Sequence, residues 1–288
     1  MKLCRYGEVG SEKPAAIDGN GKIRDLSKII ADLSPAMLAP GKLAELAEID
    51  LAALPEISGE VRMAAPLTGT SKFIAIGLNY RDHAQEAGLP VPDEPIIFLK
   101  ATTCISGPYD PIIQPLNSTK LDWEVELGVV IGSKARYVSE EDALDHVAGY
   151  CVVNDVSERA FQFQGSQWDK GKGCDSFGPI GPWIVTRDEV PDPQNLDMWL
   201  EVNGERKQSG NSSTMIFSVA ELIAYCSRYM TLLPGDVICT GTPPGVGMAR
   251  QPDPQWLWPG DRVRLGIQGL GMQEQTVVAF SLTAPTLP

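Results

Sequence analysis

The sequence predicts an α+β fold, mainly β, and three observations carry that expectation. Strand-like stretches rich in β-branched and aromatic residues outnumber helix-like ones and do not alternate with them, which argues against a doubly wound parallel sheet. The 288 residues include 28 glycines and 23 prolines, spread along the chain, so turns are frequent and a helical bundle is excluded. Hydrophobic residues make up 43% and charged residues 21%, which leaves apolar material for a substantial core.

Residues 1–65 read as a small N-terminal domain and 66–288 as a larger second one. The first opens with strand-like MKLCRYG and PAAIDGNGKIRDL, where Asp18-Gly19 and Asn20-Gly21 are hairpin-turn dipeptides. An Ala/Leu-rich stretch over 42–53 has loose helical spacing. Pro66 and Thr68-Gly69-Thr70 mark the boundary. Strands are expected at 72–77, 95–100, 123–132, 148–155, 181–186, 198–204, 236–241, 262–267 and 275–280. Helices are expected at 79–88, ended by Gly88 and Pro90, at 139–147, opened by Ser139 with Asp142 three residues on, and at 217–230.

The net charge of −13 repels phosphate backbones and anionic lipid heads, so nucleic acid and membranes are not expected as partners. The same charge repels acidic metabolites, so a site for one needs a local cation, either a metal or Lys and Arg. No signal peptide or membrane-spanning run is evident. Six scattered cysteines without a CxxC pair fit reduced thiols in the cytoplasm, and two histidines make zinc chemistry a poor first reading.

The most informative stretch is DWEVELGVVIG, 122–132. On a strand Glu124 and Glu126 share a face, their Cβ atoms roughly 6–7 Å apart. Two readings stay open: a solvated strand face, or a carboxylate pair neutralised by a divalent cation. Asp155 ends the apolar run VVND, either as a cap of a following helix or as a third hard oxygen ligand. An all-oxygen set selects Mg²⁺, Mn²⁺ or Ca²⁺ over zinc. His83 and Glu86 fall three apart on a helix, a surface pair or a base with its orienting carboxylate. Lys172 sits in WDKGKGCDSFGPIGPW, where a lysine can present a fixed charge to an anion, with Lys170 the alternative. The Thr240–Gly247 loop offers hydroxyls and amides that suit an anion, but it is no P-loop. His146 reads as structural. No Gly-x-Ser-x-Gly elbow is present.

Seven segments in order, GLNYRDHAQEAG, PIIFLK, DWEVELGVVIG, GYCVVNDVSER, KGKGCDSFGPIGPW, VNGERKQ with TMIFSV, and LLPGDVICTGTPPGVG, resemble the fumarylacetoacetate hydrolase family and cover most of 72–267. The resemblance implies a β-sandwich roll behind a small N-terminal domain, usually a homodimer. It implies that Glu124, Glu126 and Asp155 hold Mg²⁺ or Mn²⁺, that Lys172 is the active-site lysine, and that His83 and Glu86 form the dyad of members that activate water. Arg159, Gln162, Gln208 and Thr242 fall at positions that line or support the substrate pocket. The chain is most similar to hydrolases of 2,4-diketo-3-deoxy-L-sugar acids, the fuconate or rhamnonate derivatives, which release pyruvate and lactate. Acylpyruvase, oxaloacetate decarboxylase and enol–keto isomerase activities are the alternatives. Leu78 stands where many acylpyruvase and decarboxylase relatives carry arginine, and Gly173 where relatives often have serine.

Overall fold

The computed structural model describes residues 1–282, so the last six positions of the expected 66–288 unit lie outside it. Among the described residues two sheets dominate. The larger has 11 strands; its central path runs from Lys2–Tyr6 through Gly178–Thr186, Val147–Asn154, Val125–Ile131, Val237–Cys239 and Phe73–Gly77 to the edge strand Ile96–Lys100. The smaller has five, ordered Glu205–Asn211, Asp197–Val202, Arg262–Ile267, Gly271–Ala279 and Ile112–Gln114. Most neighbours are antiparallel; Val237–Cys239 runs parallel to Phe73–Gly77.

The sheets pack face to face over one large apolar cluster. Every residue of Val125–Ile131 and of Val147–Asn154 is buried. This explains their near-continuous Val/Ile/Leu composition, because a strand covered on both faces has no use for polar alternation. Gly128 is required by this closeness: a Cβ there would lie 2.7 Å from Val153 and 2.8 Å from the Cys151 sulfur. Buried amides stitch the layers together. Asn154 Nδ2 donates to Gln275 Oε1 at 3.2 Å, and Gln273 Nε2 donates to the Val152 carbonyl at 2.8 Å.

The expected strands are present with ends shifted by a few residues, and the helices are shorter than expected. The first is Arg81–Glu86; the second is Glu140–Ala143 continued by a 3-10 turn; the third is Val219–Tyr229, opened by a capping box between Ser218 and Glu221. The Glu205–Asn211 strand and the short helix Asp169–Lys172 were not expected, in stretches too brief or too polar for periodicity to register. The helix that could follow Asp155 is present as Arg159–Gln162, capped by Glu158.

Residues 1–65 gather their own apolar clusters around Leu3, Leu26 and Leu33 and around Cys4 and Tyr6. Their first strand is nevertheless hydrogen-bonded to Gly178–Thr186, and Leu38 belongs to the large cluster, so sheet and core both continue across residue 65. No helix among the described residues is long and apolar enough to cross a membrane.

Candidate metal centre and catalytic pocket

Strand register brings three distant carboxylates together. Val125 pairs with Asn154 and Glu126 with Val153, so Glu124 lies opposite Asp155, whose amide donates to the Glu124 carbonyl at 2.9 Å. The side chains of Glu124, Glu126 and Asp155 each present an oxygen within 4.8 Å of the other two, and all three residues are buried. The solvated-face reading of the glutamates is thereby corrected: both are buried, and Lys172 and Arg159 bind Glu124. Asp155 caps no helix; both its oxygens are bound by lysines.

The cations that meet this cluster come from three elements. Lys172, on the Asp169–Lys172 helix, places Nζ 2.6 Å from Glu124 Oε2 and 2.7 Å from Asp155 Oδ2. Lys100, the last residue of the edge strand, places Nζ 2.5 Å from Asp155 Oδ1 and also donates to the carbonyl of Lys172. Arg159 donates to Glu124 Oε1 at 2.6 Å, to Asp122 Oδ2 at 2.9 Å and to Gln162 Oε1 at 3.0 Å. Lys170, the alternative to Lys172, is exposed. Burial would raise the Glu124 carboxyl, but Lys172 and Arg159 overcome it and hold the group well below the usual carboxylate range.

Glu126 is different. Among the described residues its one hydrogen bond is from the Gly241 amide, 2.8 Å from Oε2, and no cation is paired with it. Burial, with Asp155 and Glu124 alongside, pushes its carboxyl well above the ordinary range. A buried carboxylate facing two others without a cation of its own is the donor arrangement that a hard divalent ion completes. The residues fit Mg²⁺ or Mn²⁺: three oxygen donors, no thiol or imidazole, and a cavity on the open side.

That cavity has a volume of about 180 Å³. Glu124, Glu126, Lys172, Arg159, Gln162, Thr242 and His83 line it. His83 and Glu86 pair as the three-residue spacing anticipates, Nδ1 to Oε2 at 3.1 Å. The carboxylate accepts, so Nδ1 is the donor, and it is Nε2 that has the lone pair in the neutral ring. Glu86 also accepts from the Gly245 amide at 3.0 Å, which fixes the helix on the 240–247 loop. Burial raises the Glu86 carboxyl, but His83 and this amide outweigh it, and the net shift is downward.

The 240–247 loop takes the chain's own carboxylates where an external anion was expected. Gly241 serves Glu126 and Gly245 serves Glu86, while the amides of Gly247 and Met248 donate to Asp122 at 2.7 and 3.0 Å. Thr242 lines the cavity and donates to the Val125 carbonyl at 2.9 Å. Gln208 lies behind the wall. Its amide is spent on Val125, Thr242 and Pro243, so it supports the pocket without lining it.

Sequence reasoning missed Lys100 and Asp122 as members of this network. Lys100 has a signal, a lysine closing the otherwise apolar run PIIFLK of an expected strand; Asp122 has only its place before Trp123.

A family model described as "Fumarylacetoacetate (FAA) hydrolase C-terminal" matches residues 72–278. A Burkholderia cenocepacia protein named "Putative hydrolase" is 62% identical over 277 residues, 96% of this chain and 98% of its own. Among solved structures, a fumarylacetoacetate hydrolase from Exiguobacterium antarcticum is 35% identical with a TM-score of 0.87, covering 97% of this chain and 100% of its own. Maleylpyruvate hydrolase from Sphingobium sp. SYK-6, in complex with manganese (II) ion and pyruvate, is 30% identical with a TM-score of 0.82, covering 98% and 100%. A 5-carboxymethyl-2-hydroxymuconate delta-isomerase from Mycobacterium smegmatis is 33% identical with a TM-score of 0.76, covering 98% and 100%.

Proposed function

The chain belongs to the fumarylacetoacetate hydrolase family, and on that premise we propose that it is a divalent-metal-dependent hydrolase of a carbon–carbon bond in a 2,4-diketo acid. The substrate we favour is a 2,4-diketo-3-deoxy-L-sugar acid of the rhamnonate or fuconate type, cleaved to pyruvate and L-lactate. The single observation that carries hydrolysis is that His83, hydrogen-bonded to Glu86, lines the same cavity as Glu124, Glu126 and Lys172.

Glu124, Glu126 and Asp155 would hold Mg²⁺ or Mn²⁺, which supplies Lewis-acid charge to the oxygens of a 2-oxo acid and answers the repulsion expected from the net charge. His83, held by Glu86 with Nδ1 protonated, takes a proton from water at Nε2. The hydroxide so formed attacks the C4 carbonyl, and the C3–C4 bond breaks. Its electron pair passes to the pyruvate fragment as an enolate, which takes up a proton at C3. Lys172 has three N–H donors and spends two on Glu124 and Asp155, leaving the third to meet the developing enolate oxygen. Arg159, tethered to Asp122 and Glu124, presents Gln162 to the cavity. A small N-terminal domain, a homodimeric assembly and a cytoplasmic location complete the proposal.

Isomerisation or decarboxylation of a 2-oxo acid is the second reading, favoured by the likeness to the Mycobacterium smegmatis isomerase. It needs no water attack at C4. Mass-spectrometric product analysis over a panel of 2,4-diketo acids and oxaloacetate, with Mg²⁺ and with EDTA, separates the two. Hydrolysis yields pyruvate plus a carboxylic acid only in the metal arm; CO₂ or an unchanged carbon skeleton contradicts it.

A further inference from the structure

The carboxylates and Lys172 form one end of the cavity; the other end is apolar. The Lys172 ammonium stands 5.3 Å from the centre of the Phe98 ring, and Phe98 meets Trp168 edge to face at 5.3 Å. Ile96 meets Trp168 at Gly77, and Leu78, Leu89 and Phe163 add further apolar side chains to the lining. Trp168 is set close to the main chain. A Cβ on Gly77 would lie 2.6 Å from its ring, so only glycine leaves room for the indole.

Leu78 holds a φ of 54°, a conformation that is strained for a non-glycine residue. Asn79 enforces it. The Asn79 amide donates to the carbonyls of Phe217 and Thr240 at 3.0 and 2.8 Å and accepts from the Phe217 amide at 2.8 Å. A strained leucine on a cavity wall, held by a fully committed neighbour, marks a surface shaped for a ligand.

Among the described lining residues, no cation but Lys172 adjoins the Phe98–Trp168 pair. The cations lining the cavity are Arg159 and Lys172, both engaged by Asp122, Glu124 and Asp155 at the opposite end. Arg250, outside the lining, faces Glu86 and Glu205. A carboxylate brought to the apolar end would be desolvated with no partner. The small volume, below the roughly 300–1,000 Å³ of pockets for drug-sized ligands, limits what fits there.

We propose that the apolar end is a subsite for a short uncharged acyl tail, so that the chain selects 2-oxo acids bearing a single carboxylate and discriminates against dicarboxylates. This rests on the reading above that a 2-oxo acid head sits at the carboxylate cluster. The lactoyl tail of the favoured sugar acids, uncharged and ending in a methyl group, belongs to the accepted class.

The test is calorimetric binding to the full chain saturated with Mn²⁺, using pyruvate, 2-oxopentanoate and 2-oxoglutarate, the last two equal in chain length. The proposal expects 2-oxoglutarate to bind at least about tenfold more weakly than 2-oxopentanoate. Leu89, 53% exposed at the mouth, tolerates a cation, and Leu89→Arg is expected to cut that ratio by about tenfold or invert it. Trp168→Ala, a second and independent variant, is expected to weaken 2-oxopentanoate more than pyruvate. Equal or tighter binding of 2-oxoglutarate by the unmodified chain overturns the subsite, as does an unchanged ratio in both variants. If pyruvate itself fails to bind, the 2-oxo acid reading falls and the subsite with it, an outcome distinct from lost discrimination between two ligands that do bind.

Discussion

Lys100 stands directly behind Asp155: its fully buried ammonium lies 2.5 Å from Asp155 Oδ1, on the side away from the cavity. Burial opposes the charge on Lys100, yet Asp155 holds its pKa above the usual lysine value. Lys100 therefore stays protonated, and Asp155 is presented to the cluster from a fixed base. Removing Lys100 leaves Asp155 Oδ1 buried without a donor while Lys172 still holds Oδ2, a loss of about 1–3 kcal/mol. Lys100→Met is expected to lower the urea midpoint accordingly, and added Mn²⁺ to restore more of the variant's stability than of the unmodified chain's. A change below about 1 kcal/mol, the range of an exposed pair, would contradict the role given to Lys100.

His83→Ala removes the proposed base and no carboxylate of the cluster. One general base contributes about 10²–10⁴ in rate, so kcat should fall by that factor while Mn²⁺ binding by calorimetry is retained. Near-normal turnover would take His83 out of the reaction.

Glu126→Gln keeps the shape of the side chain and removes the charge that meets no cation in the chain itself. Mn²⁺ affinity is expected to fall by at least about tenfold, with activity lost in parallel. Metal binding as tight as in the unmodified chain would contradict the ligand set.

Glu86 supplies a pH dependence with a defined sign. Burial raises its carboxyl, but the His83 imidazole and the Gly245 amide bring the folded value below the ordinary one. A depressed carboxyl stabilises the fold above its unfolded pKa, and that contribution is lost as pH falls through the folded value. The unmodified chain should be more stable than Glu86→Gln at pH 7, and the gap between their urea midpoints should close in the acid range below about pH 4. A gap that widens on acidification would reverse the assignment.

The strands and the three carboxylates were legible because their signals are local. Apolar runs bounded by Gly and Pro announce strands, and Glu124 and Glu126 lie two residues apart on one of them. Asp155 could be read as a ligand only beside that pair, since alone it resembles a helix cap. What register decides was not legible. Nothing near Lys100 says that its strand ends against Asp155, and nothing near Gly241 or Gly245 says that their amides will bind Glu126 and Glu86. The same holds for residues 1–65. Their turn dipeptides at 18–21 gave the hairpin, but the pairing of Lys2–Tyr6 with Gly178–Thr186 joins segments about 180 residues apart, beyond the reach of any local pattern.

The central claim is that Glu124, Glu126 and Asp155 hold one hard cation against which a 2-oxo acid is bound. Crystals soaked with Mn²⁺ and pyruvate, measured for anomalous scattering from manganese, test it most directly. The account predicts a single strong peak bonded to one oxygen from each of the three carboxylates, with pyruvate density adjoining it beneath His83. An empty cluster, or a manganese peak elsewhere while the three side chains point apart, would contradict it.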